Sequence, residues 1–444
     1  MAFKQLESAF PQAGSALPPA VPLPKSALRI LLRFRSMALV GLLAASGLAG
    51  AAGCSPAAGP GSPEDPIELT RQQKAVLDGS NSFAFDLVRV LSEKDPEGSF
   101  VVSPLSVSLA FGMALNGAEG DTHDQIARTL GFEGLTKEEV SEAARTLIPA
   151  LTGADESASV LIANAIWARQ GAELRQEFVT ANREAYQAEV SELDFADPGS
   201  ADVVNGWVSE QTKWLIEKMI DRLDPEALLY LANAVYFKAD WTVQFNPEQT
   251  RTEPFRAGDG RWQDAPMMRV KEAFGFYEGE SWRAAELPYG SGAYRFLAVQ
   301  PMDGEDLGAF AGRLDQDAYA QVLDGLEADT VEVYMPRFEI SHRIADFKGD
   351  LRGLGMELPF TEQADFSGIH PTLRLLISDV LHQSVIKVDE TGSEAAGVTI
   401  LEIRTTSVGP PEPRIRLDRP FLFFIREQST GTILFAGRYS GQPS

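Results

Sequence analysis

The chain has 444 residues, 44% of them hydrophobic and 23% charged, with a formal net charge of −24. So acidic a surface is unsuited to nucleic acid or any other polyanion, which Lys and Arg must neutralise. A single cysteine excludes an intrachain disulfide. The length alone suggests two or three domains, but beyond Thr70 no Pro/Gly/Ser-rich linker and no repeat divides the chain, so one domain of roughly 370 residues, or two fused lobes, is expected.

The N-terminal stretch reads differently from the rest. Arg29, Arg33 and Arg35 precede an apolar run from Met37 to Gly53 that ends Ala51-Ala52-Gly53-Cys54. A basic segment, a hydrophobic core and small residues before a cysteine follow the pattern of a bacterial lipoprotein signal peptide. Residues 1–53 are therefore read as leader and signal, and Cys54 as the lipidated first residue of the mature chain. Residues 54–70 are read as a Pro/Gly/Ala-rich linker, and 71–444 as the domain. A free cysteine is ordinarily a buried thiol, but the linker Ser55 to Pro63 offers nothing to bury it. The apolar run is short and rich in Gly and Ala, which speaks against a permanent membrane-spanning helix. Residues 1–53 hold five basic residues and one acidic, so the mature chain would carry −28. Export follows, to the cell envelope as a lipoprotein or to the extracellular medium.

Along the domain, Phe83, Leu87, Val90 and Leu91 mark one face of a helix over Ser82 to Leu91. Ser103 can cap a second helix with Pro104 in its first position. Asp121 or Thr122 starts a third, with Ile126 and Leu130 inward. Val160 to Trp167 and Leu229 to Phe237 read as buried strands, and Trp207 to Met219 as an amphipathic helix. Val331 to Met335 alternates as a strand, and Asp346 to Leu354 is helical. Ile377 to Ile386 is strand-like, and Val385 to Val388 leads out of it. Phe421 to Ile425 and Ile433 to Phe435 form a hairpin about Gln428-Ser429-Thr430-Gly431. Helices and strands do not alternate regularly, so the class is α+β. Between Val388 and Ile415 lie about 26 residues with no element of their own, a length that in a compact domain is usually functional or disordered.

Motifs for catalysis are missing. The four histidines, His123, His342, His370 and His382, form no H-E-x-x-H. The chain has no G-x-S-x-G and no Gly-Lys dipeptide for a phosphate loop. No enzyme activity, cofactor or metal is expected.

The most informative stretch is Ser393 to Thr406. With period two, one face is Ser393, Ala395, Gly397, Thr399, Leu401, Ile403 and Thr405, without charge; the other holds Glu394, Glu402 and Arg404. This is a strand with one buried side. Yet it runs into Gly409-Pro410-Pro411-Glu412-Pro413, which cannot continue in a sheet. The inward face begins with very small residues, which slide easily between strands already packed.

The hinge Glu390-Thr391-Gly392-Ser393-Glu394-Ala395-Ala396-Gly397 resembles that of the serpin family. The resemblance runs from about Asn81 to Tyr439. It also rests on Ser103-Pro-Leu-Ser106, Asn233-Ala-Val-Tyr-Phe-Lys-Ala-Asp-Trp241, Val331 to Phe338, Ala364 to Ile369 and Arg419 to Phe423, in the family's order. It implies a serpin fold: a large mixed β-sheet, two smaller sheets, surrounding helices and an exposed reactive-centre loop over about 390–414. It also implies a suicide-type inhibitor of a serine or cysteine protease, cut in that loop and trapping the enzyme by inserting the loop into the main sheet. The alternative is a non-inhibitory binding or chaperone-like member, which would usually carry a bulky, charged or proline-bearing hinge.

By the same resemblance, seventeen residues counted from Glu390 put the cut between Thr406 and Ser407, with Arg404 as the rival. Thr406 suits an elastase-like or subtilisin-like enzyme, Arg404 a trypsin-like one. Ser407 to Arg414 is some three residues longer than usual. The resemblance further groups Ser103, Ser106, Asn233 and His382 as a polar shutter that can lock the strands; a satisfied core histidine is the plainer reading of His382. Trp241 is either the breach tryptophan, where insertion begins, or a core aromatic. Glu390 pairs with Arg337 by motif position, or is an exposed pair of little consequence. The partner expected is the target protease, with no nucleic acid, membrane contact through the lipid anchor only, and a monomeric chain.

Overall fold

The computed structural model describes residues 66–303, 305–393 and 413–442. Cys54 and its leader, the hinge residues Glu394, Ala395, Ala396, Gly397 and Thr399, Arg404 and the Thr406–Ser407 bond lie outside them. Thr70 opens α1 (Arg71–Lys94) with a reciprocal cap: its hydroxyl accepts from Gln73 N–H at 3.2 Å, and Gln73 Oε1 accepts from Thr70 N–H at 2.7 Å. The helix starts at Arg71 rather than near Ser82. Its buried face carries polar residues that blur the apolar period: Ser80 bonds Ser108 at 3.0 Å, and Asn81 spans Gly431 O and Ile433 N–H.

After β1 (Phe100–Val102), Ser103 caps α2 (Pro104–Leu115) as expected, its hydroxyl accepting from Ser106 N–H at 3.3 Å. Helix α3 (Gly120–Thr129) begins after Glu119, not after Asp121 or Thr122. The Thr122 hydroxyl is buried and accepts from Asp365 N–H at 2.8 Å, so it serves a distant loop rather than its own helix. Ile126 and Leu130 are inward as expected. Then follow α4 (Lys137–Thr152), β2 (Ser159–Arg169), α5 (Gln176–Tyr186), β3 (Glu189–Leu193) and α6 (Gly199–Gln211).

The expected helix over Trp207 to Met219 is corrected here. The helix stops at Gln211, and Lys213 (φ 51°) and Trp214 (φ 68°) turn left-handed. The cause is Asn205, buried in α6. Its amide accepts from Met219 and Ile220 N–H at 2.8 and 2.9 Å and donates to Ile220 O at 2.7 Å. A buried amide must be satisfied, and here the chain folds back over α6 as a strap to do it.

The strap leads to β4 (Leu229–Asp240), the hairpin β5 (Arg251–Arg256) and β6 (Trp262–Glu278), then β7 (Trp282–Tyr289) and β8 (Tyr294–Pro301). Helices α7 (Leu307–Ala311) and α8 (Gln316–Asp324) precede β9 (Glu327–Pro336) and β10 (Phe338–Arg343). Asp346 caps α9 (Phe347–Gly353), accepting from Gly349 N–H at 3.0 Å. The strand expected from Ile377 begins only at Gln383, as β11 (Gln383–Val388). It leads to β12 (Gly392–Ser393), and beyond the loop come β13 (Arg414–Arg416) and the hairpin β14 (Phe421–Glu427) and β15 (Ile433–Tyr439).

The strands form one nine-stranded sheet, ordered β1-β15-β14-β8-β7-β6-β9-β13 with β5 on β6, a four-stranded sheet β12-β4-β2-β3 and a two-stranded sheet β10-β11. Both β2–β3 and β9–β13 are parallel, so the nine-stranded and four-stranded sheets are mixed, while β10–β11 is antiparallel. The core joins α1, α2 and α4 to the inner faces of the sheets, with Phe83, Met113, Phe296 and Phe423 almost fully buried. A smaller apolar cluster around Trp167, Phe195 and Val204 seats α6 on β2 and β4. No described helix is long and apolar enough to cross a membrane.

Candidate functional site

Among the described residues, no ladder joins β4 to β11. The two strands flank a cleft of about 1470 Å³, lined by Asn233 and Tyr236 on one wall and His382 and Ser384 on the other. Ser103, Ser106 and Val107 at the head of α2, and Leu215 and Ile216 of the strap, line it as well. The cleft therefore lies between the four-stranded and the two-stranded sheets.

At one end of the cleft the chain leaving β11 turns back and begins a strand on β4. Asp389 N–H donates to Gly392 O at 2.9 Å, and the Asp389 carboxylate accepts from Thr391 N–H at 2.8 Å. Gly392 then pairs with Asp240 and Ser393 with Ala239, antiparallel. A Cβ on Gly392 would lie 2.1 Å from Ala239 O, so only glycine fits there. The turn is held by Trp241, whose backbone N–H donates to Thr391 O at 2.7 Å and whose indole N–H donates to Asp389 O at 2.8 Å. Its ring stacks on Tyr289 at 4.2 Å. The Tyr289 hydroxyl shares a buried 2.9 Å hydrogen bond with Ser393 Oγ. Burial raises the Tyr289 pKa, so the phenol stays neutral.

Glu390 is buried, and Arg337 stands 3.6 Å away, as the motif position implied. Its nearer partner is the Thr250 hydroxyl at 2.7 Å, which sequence reasoning missed. Arg337 is half-exposed, so the Thr250 bond is the less solvent-screened of the two.

The expected polar residues all reach the cleft, in one network whose halves stand on opposite walls. His382 Nε2 accepts from Ser103 N–H at 3.2 Å. It is therefore unprotonated, and the Ser384 hydroxyl donates to it at 3.1 Å. Ser103 Oγ donates to Leu434 O at 2.8 Å. Burial, aided by repulsion from His342, pulls the His382 pKa down to about 3. On the other wall, Asn233 donates to Asn164 Oδ1 at 2.8 Å, and Asn164 donates to Tyr186 O at 2.7 Å. Ser106 Oγ reaches Asn233 O at 3.5 Å and is the link across. Ser384, Asn164 and Tyr289 were not foreseen. Asn164 sits directly opposite Asn233 in the β2–β4 ladder, a register that no local pattern reveals.

A family model described as serpin (serine protease inhibitor) matches residues 78–441. The chain belongs to the serpin family. An uncharacterized serpin-like protein of Thermococcus kodakarensis is 35% identical over 378 residues, which are 83% of this chain and 86% of that one. The leukocyte elastase inhibitor of Homo sapiens is 32% identical over 371 residues, 81% of this chain and 97% of its own. Among solved structures, human thyroxine-binding globulin superposes with a TM-score of 0.77 at 27% identity, covering 84% of this chain and all of that one. The expected serpin fold is therefore present in this serpin, with the β4–β11 cleft and residues Glu390 to Ser393 side by side.

Proposed function

We propose that this serpin is a suicide-type protease inhibitor that acts as a monomeric bait rather than as an enzyme. The observation that carries the reading is the two-residue strand Gly392–Ser393, seated on β4 at the head of a cleft whose walls share no ladder among the described residues. In this reading the nucleophilic oxygen or sulfur of the protease attacks the Thr406 carbonyl. The Thr406–Ser407 amide breaks, the Ser407 amine leaves with a proton, and an ester or thioester holds the enzyme to Thr406. The freed loop then extends the strand begun at Ser393 down the cleft. Fourteen residues at about 3.3 Å each carry the protease on the order of 45 Å. Displaced catalytic groups no longer deacylate efficiently.

Thr406 favours an elastase-like or subtilisin-like target, and similarity to an elastase inhibitor supports that choice. Arg404, which would select a trypsin-like enzyme, is the competing position. Cys54 is proposed as a lipid anchor. A linker of roughly 16 residues would then hold the inhibitor about 20–25 Å from the envelope surface on average, and Cys54→Ser should move it from the membrane fraction to the soluble one. The likeness to thyroxine-binding globulin favours the second reading, a non-inhibitory carrier. Incubation with one protease of each of the three kinds decides between them. The inhibitor gives a complex stable on denaturing gels and a released peptide beginning at Ser407. Cleavage without any such complex overturns inhibition in favour of the carrier.

A further inference from the structure

In a chain of net charge −24, the strands where the reactive loop rejoins the body carry an arginine-rich outer face. On β6, β9 and β13, Val270, Val333 and Ile415 point into the core. The alternate residues Arg269, Lys271, Glu332, Tyr334, Arg414 and Arg416 share the opposite face, with Arg269 and Arg416 both beside Tyr334 and Lys271 and Arg414 both beside Glu332. The guanidinium carbons of Arg269, Arg414 and Arg416 lie 5.8, 5.6 and 4.9 Å from the Tyr334 ring centre. The Glu332 carboxylate accepts from Arg269 Nε and Arg414 Nε, each at 2.7 Å. Arg416 is paired with Glu253 and Asp418.

What this arrangement presents outward is decided by exposure. The Glu332 side chain is 9% exposed, against 46% for Arg269 and 63% for Arg414. The neutralising carboxylate lies beneath, and the guanidiniums lie on top, already oriented by the ring and the buried acid. Pre-set side chains lose little entropy when they bind.

Position supplies the partner. Arg414 directly follows Pro413, whose carbonyl accepts from Glu332 N–H at 3.0 Å as the loop rejoins the body. Arg414 stands eight residues beyond Thr406, at most roughly 29 Å of extended chain. A compact protease of ~220 residues is roughly 45 Å across, wider than that tether is long, so an enzyme holding the Thr406–Ser407 bond can reach this face. We propose that Arg269, Lys271 and Arg414 form a second recognition surface for the target protease, one that selects an enzyme with carboxylates beside the part of its cleft that takes residues after the cut. This rests on the inhibitor reading.

Arginines on an end strand can also serve structure, by discouraging strand pairing or by stitching β13 to β9 through the ring. The experiment separates the roles. Association rates are measured for wild type, Arg414→Ala, Arg414→Lys and Lys271→Gln, with whichever protease forms the stable complex, from low to high salt. Melting temperatures are recorded alongside. At low ionic strength, Arg414→Ala and Lys271→Gln should associate about 3–10-fold more slowly, as loss of a rim charge does. Arg414→Lys should keep most of the wild-type rate, because it keeps the charge while losing the planar stack. The differences should close near 1 M salt, where the screening length is about 3 Å. Equal low-salt rates for wild type and both charge-removing variants, or no recovery in Arg414→Lys, overturns the inference. Lys271→Gln keeps the test valid if the Arg414 variants do not fold. A wild type that forms no complex with any protease is a different result: it defeats the inhibitor reading, and this inference with it.

Discussion

Gly392 is the narrowest point of the site. With a Cβ 2.1 Å from Ala239 O, a larger residue must push the turn off β4, and the Tyr289–Ser393 bond goes with it. Gly392→Val should lower unfolding stability by about 1–3 kcal/mol, as overpacking does; a wild-type midpoint in urea would mean that the strand is not seated there. His382 gives the pH prediction. A proton on Nε2 would face the Ser103 N–H, and burial with the His342 charge pulls the pKa down to about 3. The unfolded imidazole titrates near 6.5. The unfolded chain therefore binds the proton first on acidification. The stabilisation is complete above about pH 6.5 and declines as the pH falls toward 3, by about 3 kcal/mol at pH 4. His382→Asn, though less stable at neutral pH, should lose less on going from pH 7 to pH 4. Parallel melting curves across that range would rule out His382 as the titrating group.

Among the elements, the hinge is expected from a local pattern, and the strap could not be. Small residues at every second position from Ser393 point to a strand made for insertion, and period two needs no tertiary information. Gly397→Pro should fold normally yet be cleaved as a plain substrate, because proline removes a ladder donor in a strand that must bond on both sides. Stable complexes at wild-type stoichiometry would contradict insertion past that residue. The early end of α6 could not be read locally. Trp207 to Met219 keeps a helical apolar period, and the decision lies with Asn205, whose three hydrogen bonds exist only once the chain has turned back. The start of α1 was hidden in the same way, since Ser80 and Asn81 count as polar in a pattern but are buried against Ser108 and Ile433.

At the scale of the molecule, the four-stranded and two-stranded sheets stand with β4 and β11 as facing walls. A new strand between them would bond to both. Cleavage of the loop after Leu401 should therefore raise the melting temperature in calorimetry. A cut chain that melts at or below the intact one would place the protein with the non-inhibitory carriers.

By itself the sequence determined the family, the α+β class and the cap at Ser103, and it singled out Ser103, Ser106, Asn233, His382, Trp241, Glu390 and Arg337. These depend on residue identity and short-range order along the chain. Only the tertiary structure decided how they are wired. It split the polar cluster between two walls, gave Glu390 the nearer partner Thr250, put Tyr289 under Ser393, and laid three arginines over one tyrosine. Each of those contacts joins strands remote in sequence, and its register is set by how the sheets pack rather than by any pattern within a strand.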